Sequence, residues 1–184
     1  MTTEHKVFIG IGLATLVIIV GGVFLISGQS NNQNQNSLTT QTSTKPLLGQ
    51  EIPIQGQTHI QRGEKHPAYN SNPPTSGWHY GDGVGGGGIH DSEVPDELLV
   101  HSLEHGAVIL SYKASLPAND VEKLKQIFRQ TTGKGVMVPR ENLDVPIALT
   151  SWGRLLKLQT IDEKTIKTFF ATNSDRGPEK VSMF

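Results

Sequence analysis

The sequence predicts an α+β protein: a small mixed sheet with two or three helices, preceded by a transmembrane helix and by a half that is mostly loop. Three observations carry this. Residues Val7 to Ile26 form a run of twenty without a charge. Residues 95 to 173 alternate strand-length apolar runs with helix-period ones, whereas residues 46 to 94 are rich in Gly, Pro and His and show little periodicity. The order strand, helix, strand, strand, helix from residue 107 onward suits a ferredoxin-like, split β-α-β arrangement with two helices on one face, if an N-terminal strand or the tail closes the sheet.

At about 1.5 Å per residue the first run spans the roughly 30 Å of a bilayer core. It is longer than the apolar stretch of about 7 to 15 residues in a cleaved signal peptide, and it leaves through Leu25-Ile26-Ser27-Gly28. Residues 1–27 therefore read as an uncleaved signal anchor. Lys6 flanks its inner end, and no Lys or Arg follows until Lys45, which places the N-terminus in the cytoplasm and the rest outside a cell membrane. Residues 28–45 form a polar linker: fifteen of the seventeen positions from Gly28 to Thr44 are Asn, Gln, Ser or Thr. Such a tract cannot bury a core and behaves as a flexible tether.

Residues 46–184 make up the extracytoplasmic domain, long enough for one core. Over the 184 residues, 16 basic groups stand against 17 acidic ones, so nucleic acid is not an expected partner. Cysteine is absent, which excludes thiolate metal sites, disulfides and thiol nucleophiles and leaves His, carboxylate or Met to hold any metal.

Within the domain, Glu51 to Gln55 offers one short strand. Pro95, Asp96 and Glu97 suit the first turn of a helix that Gly106 ends. Ala107 to Lys113 is a strand, and Val121, Leu124, Ile127 and Phe128 share the face of a helix opened by an Asn119/Glu122 capping box and stopped by Gly133. Val136 to Val138 is a short strand and Ile147 to Leu158 a longer one. Thr160 with Glu163 repeats the capping signal before a helix bearing Ile166, Phe169 and Phe170 and ending near Asn173.

Six of the seven histidines, His59, His66, His79, His90, His101 and His105, lie between residues 59 and 105. His101-Ser102-Leu103-Glu104-His105 places two imidazoles at i and i+4, on one helical face and able to share an ion. It also spells HxxEH, the inverted zincin motif, in which Glu104 would be the catalytic base. The alternatives are structural histidines and metal-free acid–base chemistry. Pro73 to Tyr80 is a rigid turn presenting Trp78, His79 and Tyr80. Gly83 to Gly88 satisfies GxGxxG but no helix follows, so it reads as a flexible glycine loop. No phosphate-binding loop and no GxSxG elbow is present.

His66 to Tyr80, Val100 to Ile109, Val138 to Arg140, Ala148 to Arg154 and Arg176 to Glu179 together resemble the membrane-anchored prokaryotic family catalogued as domain of unknown function 3105. The resemblance implies an extracytoplasmic domain on one N-terminal helix and no assigned activity. By resemblance the motif positions are His59, His66, Tyr69, Ser76, His79, His101, Glu104, His105, Arg140, Trp152 and Arg154. The chain departs from the pattern over Gly85 to His90. The expected site is a divalent-metal centre of His79, His101, His105 and Glu104, lined by His59, His66, Ser76, Trp78, Tyr80, Arg140, Trp152 and Arg154. Its donors favour zinc or copper(II). The alternatives are a non-catalytic module binding a cell-envelope component through Trp78, Tyr80 and the glycine loop, and a small metal-dependent hydrolase using HxxEH.

Overall fold

The computed structural model describes residues 46–181. The expected anchor and tether lie outside them; among the described residues no helix is long and apolar enough to cross a membrane. The strands are β1 (Gln50–Glu51), β2 (His59–Ile60), β3 (His79–Tyr80), β4 (Gly88–Ile89), β5 (Val108–Lys113), β6 (Gly135–Arg140), β7 (Ile147–Ser151) and β8 (Arg154–Leu158). Helix α1 is Asp96–Glu104, α2 is Ala118–Phe128 and α3 is Glu163–Asn173. Six strands form one sheet in the order β1-β8-β7-β5-β6-β4, and β2 pairs with β3 apart from it. The chain is thus a mixed α+β protein with three helices among the described residues.

Period-two alternation along β5 and its neighbours sorts the core. Val108, Leu110 and Tyr112 of β5, Met137 of β6, and Ile147 and Leu149 of β7 pack against Leu124, Ile127 and Phe128 of α2 and Ile166, Phe169 and Phe170 of α3. Both of these helices therefore cover one face, as expected. Ile109, Val136 and Val138 project to the other face, where Leu99 and Leu103 of α1 meet them together with Trp152. That second layer, with the loop-rich half beside it, holds the site.

Three expectations need correction. β5 and β6 are adjacent and parallel, Leu110 opposite Met137, while β7 joins β5 antiparallel on its other side. The β-α-β unit is therefore not split: α2 crosses over its own strand pair, and the antiparallel β7 inserts outside that pair. The predicted strand from Ile147 to Leu158 is a hairpin, Ser151 opposite Arg154, turned at Trp152 and Gly153, whose φ of +67° suits glycine. Neither capping box forms. Pro117 precedes α2, so Asn119 already lies inside its first turn; at α3 the cap is Asp162, whose carboxylate accepts from Thr165 N at 3.0 Å.

Candidate metal centre

Two elements converge on the second face. The β2–β3 ladder is parallel with His59 opposite His79, and residues in register on paired strands project to the same side. Its register is extended by Gly77 N donating to Gly56 O at 3.1 Å and His79 N to Thr58 O at 3.0 Å. Gly81 clears space for His59, since a Cβ there would lie 3.1 Å from the ring. Helix α1 supplies His101 and Glu104, i and i+3 on one face.

The ring centroids of His59 and His79 are 4.7 Å apart, those of His59 and His101 5.2 Å, and those of His79 and His101 5.1 Å. His79 Nε2 lies 2.9 Å, and His59 Nε2 3.5 Å, from Glu104 Oε2. One ligand atom from each of His59, His79, His101 and Glu104 falls within 4.8 Å of all the others. Donors about 2.0–2.1 Å from a tetrahedral zinc are themselves about 3.3 Å apart, a spacing that the two measured separations bracket.

The outer partners fix which nitrogen faces the centre. His79 Nδ1 donates to Gly77 O at 2.8 Å and His101 Nδ1 to Gly83 O at 2.7 Å; a carbonyl only accepts, so the hydrogen of each neutral ring sits on Nδ1. Burial pushes the His79 imidazole below its ordinary pKa, against the Gly77 bond and the Glu104 charge. The Nε2 lone pair of a neutral His79 then faces a carboxylate oxygen at 2.9 Å in a fully buried setting. Two lone pairs at that distance repel unless a proton or a metal ion is shared between them.

The glycine loop belongs to this arrangement. Gly85 N donates to Leu98 O and to Ser102 Oγ, and a Cβ on Gly85 would sit 2.9 Å from Leu99. The loop read as flexible is therefore laid against α1, with Gly83 orienting His101.

The structure brings His79, His101 and Glu104 together with His59, expected only as lining, and sets His105 apart. His105 caps α1, its Nε2 is 2.9 Å from Glu179 Oε2, and burial, reinforced by His101, lowers its pKa. The inverted zincin geometry, two histidines on one ion with the glutamate off it, is consequently not formed.

The other expected lining residues are structural in their contacts. His66 stacks on Trp78 at 5.9 Å and faces Glu97 at 3.3 Å; Tyr69 donates to Trp78 O at 2.6 Å. Ser76 Oγ accepts from Gln55 N, Trp152 packs in the α1 core, and Arg154 pairs with Glu51 on the surface. Arg140 forks onto Asp96 at the start of α1 and reaches Asn72. Tyr80 lies under the Arg62 guanidinium, 5.1 Å away. Beside it opens a cleft of about 570 Å³ walled by His59, Arg62 and Asp82, and His59, with half its side chain exposed, is the edge of the centre that meets solvent.

Residues 59–183 match the family described as protein of unknown function (DUF3105). The chain belongs to that family. Every residue of the four-member cluster lies within the DUF3105 region, as do Gly77, Gly83 and Glu179. No curated protein and no solved structure matches the chain.

Proposed function

We propose that this DUF3105 protein is a membrane-tethered, extracytoplasmic metal-binding protein whose centre holds a divalent ion through His59, His79, His101 and Glu104. The observation that carries the reading is the pair of imidazoles locked by backbone carbonyls beside a buried carboxylate, with His79 Nε2 2.9 Å from Glu104 Oε2. Carbonyl-anchored imidazoles are the usual outer support of metal-ligating histidine. Three imidazoles and one carboxylate, with no sulfur, favour zinc or copper(II). Met137 is consumed by the main core, which removes it as a soft donor for copper(I).

The exposed edge of His59 and the adjoining cleft give an ion a way in and leave room for a water or a small ligand at the centre. Binding of metal, with or without turnover, is the reading these contacts support. The uncharged run Val7 to Ile26, long enough to span a bilayer, supports a location outside the cytoplasm on a membrane anchor. Elemental analysis and zinc titration of the full-length chain in detergent test the centre: His79→Ala and His101→Ala should each abolish stoichiometric binding at this position, and parent-like uptake by either variant would sink it. Protease added to intact cells tests the location, and a domain that stays protected would refute it.

A further inference from the structure

His105 and Glu179 are left over by the centre just described, yet they adjoin it. Gly106, at φ +86°, turns the chain at the end of α1, and the C-terminal tail returns under that turn. Asp175 N donates to Gly106 O at 2.8 Å and Glu179 N to Glu104 O at 3.1 Å. Lys134 Nζ reaches His105 O at 3.1 Å. These bonds hold the Glu179 carboxylate against His105 Nε2 at 2.9 Å. Glu104, His105 and Glu179 each offer one ligand atom within 4.8 Å of the other two.

Two features separate this group from an ordinary surface ion pair. Among the described residues His105 Nδ1 is buried with no hydrogen-bond partner, so the contact with Glu179 leaves one ring nitrogen open. Glu104, only 1% exposed, is common to both groups, and the His101 and His105 rings are 4.4 Å apart. Glu104 Oε2 faces His79 and His59, which leaves the other carboxylate oxygen for a neighbour. Carboxylate-bridged ions commonly sit about 3.5–4 Å apart.

We propose that Glu104, His105 and Glu179 form a second divalent-cation position, with the Glu104 carboxylate bridging it to the first, so that the loaded protein carries a two-metal centre. This rests on the metal-binding reading above. One imidazole and two carboxylates make a harder donor set than the first position, suited to zinc or manganese. Glu179 is 44% exposed, so this position opens to solvent and keeps room for water. A pair of ions of this kind can clamp the two oxygens of a transferring or hydrolysed group.

The test uses the full-length chain in detergent, saturated with zinc and freed of excess. Two zinc ions per chain are expected, falling to one in Glu179→Gln, an exposed and near-isosteric change. X-ray absorption at the zinc edge should show a metal–metal distance near 3.5–4 Å in the parent that the variant lacks. One zinc per parent chain with no metal–metal signal overturns the second position while the first stands. No zinc at all overturns both. Two zinc ions retained in Glu179→Gln would also refute the assignment. If Glu179→Gln does not fold, the stoichiometry and the metal–metal distance of the parent alone decide.

Discussion

Gly177 lies in the tail segment that passes beneath the last turn of α1, and Gly177→Ala probes how firmly that tail clamps Glu104. A Cβ at this position would overlap the carbonyl oxygen of Glu104, and it would stand 2.6 Å from the Glu104 carbonyl carbon and 2.5 Å from Gly106 N. Ordinary contacts between heavy atoms need about 3.5–4.0 Å, so the tail must withdraw by about 1 Å or more. That breaks the bond from Glu179 N to Glu104 O and loosens the one from Asp175 N to Gly106 O. Two backbone bonds at about 1 kcal/mol each, or equivalently a tight overpacking cost of about 1–3 kcal/mol, point to a loss of about 2–3 kcal/mol. At about 3 °C per kcal/mol for a domain of this size, the melting midpoint should drop by roughly 6–9 °C. Circular dichroism of the full-length protein in detergent reads the midpoint, and a chelator competition reads zinc affinity. Zinc affinity should weaken about tenfold, because the tail bond that braces the Glu104 main chain, and with it the carboxylate proposed as a ligand, is lost. A midpoint within about 2 °C of the parent, with affinity unchanged, would refute the clamp.

Phe170 is fully buried and meets Phe128 edge-to-face at 5.7 Å, so Phe170→Ala should cost about 3–5 kcal/mol in denaturant unfolding. Arg140→Lys loses the fork onto Asp96 and the bond to Asn72; it should destabilise by about 1.5–3 kcal/mol while metal stoichiometry, measured after refolding checks, stays at the parent value. Glu104→Gln keeps shape but removes the buried charge, and zinc affinity in a competition assay should fall about tenfold or more; parent-like affinity would show that the carboxylate is not a ligand. Protons compete with the ion for imidazole, so affinity should decline as pH falls through the region of about 6.5 and below, and a constant affinity between pH 7 and 5 would argue against histidine ligation.

Where a signal is local, the sequence announces it. The apolar run that becomes β5, the 3.6-period faces of α2 and α3, and the Pro95 and Gly106 boundaries of α1 are all set by neighbours a few residues away. The hairpin β7–β8 is hidden because both arms carry three apolar residues each and the break between them, Trp152-Gly153, is a single weak turn signal. The adjacency of β5 and β6 escaped for another reason: strand order is a tertiary choice that no local pattern encodes. At the candidate site, residue type and clustering single out His79, His101 and Glu104, which the fold brings together, but the i, i+4 argument adds His105 where the fold brings in His59. A helix offers i+3 as readily as i+4; the partner strand decided between them by filling the space over Glu104.

That decision depends on the two-residue β2–β3 ladder, whose strands are separated by a long loop and whose composition carries no strand periodicity. Side chains alternate across a strand, so a slip of one residue would set Thr58 or Ile60 opposite His79 and turn His59 to the other side. The register is held by main-chain bonds at Gly56 and Thr58, and by glycines where space is short: Gly81 beneath the His59 ring, and Gly85 against Leu99 and Ser102. The Gly, Pro and His bias of the first half, which looks like loop composition, is thus the means by which an irregular chain is brought close enough to α1 for backbone carbonyls to orient two imidazoles. The candidate ligands and the glycines that aim them share one stretch of chain, and the sequence shows the turn at Gly77 that delivers His79 but not that the Gly83 to Gly88 loop docks on α1 to orient His101.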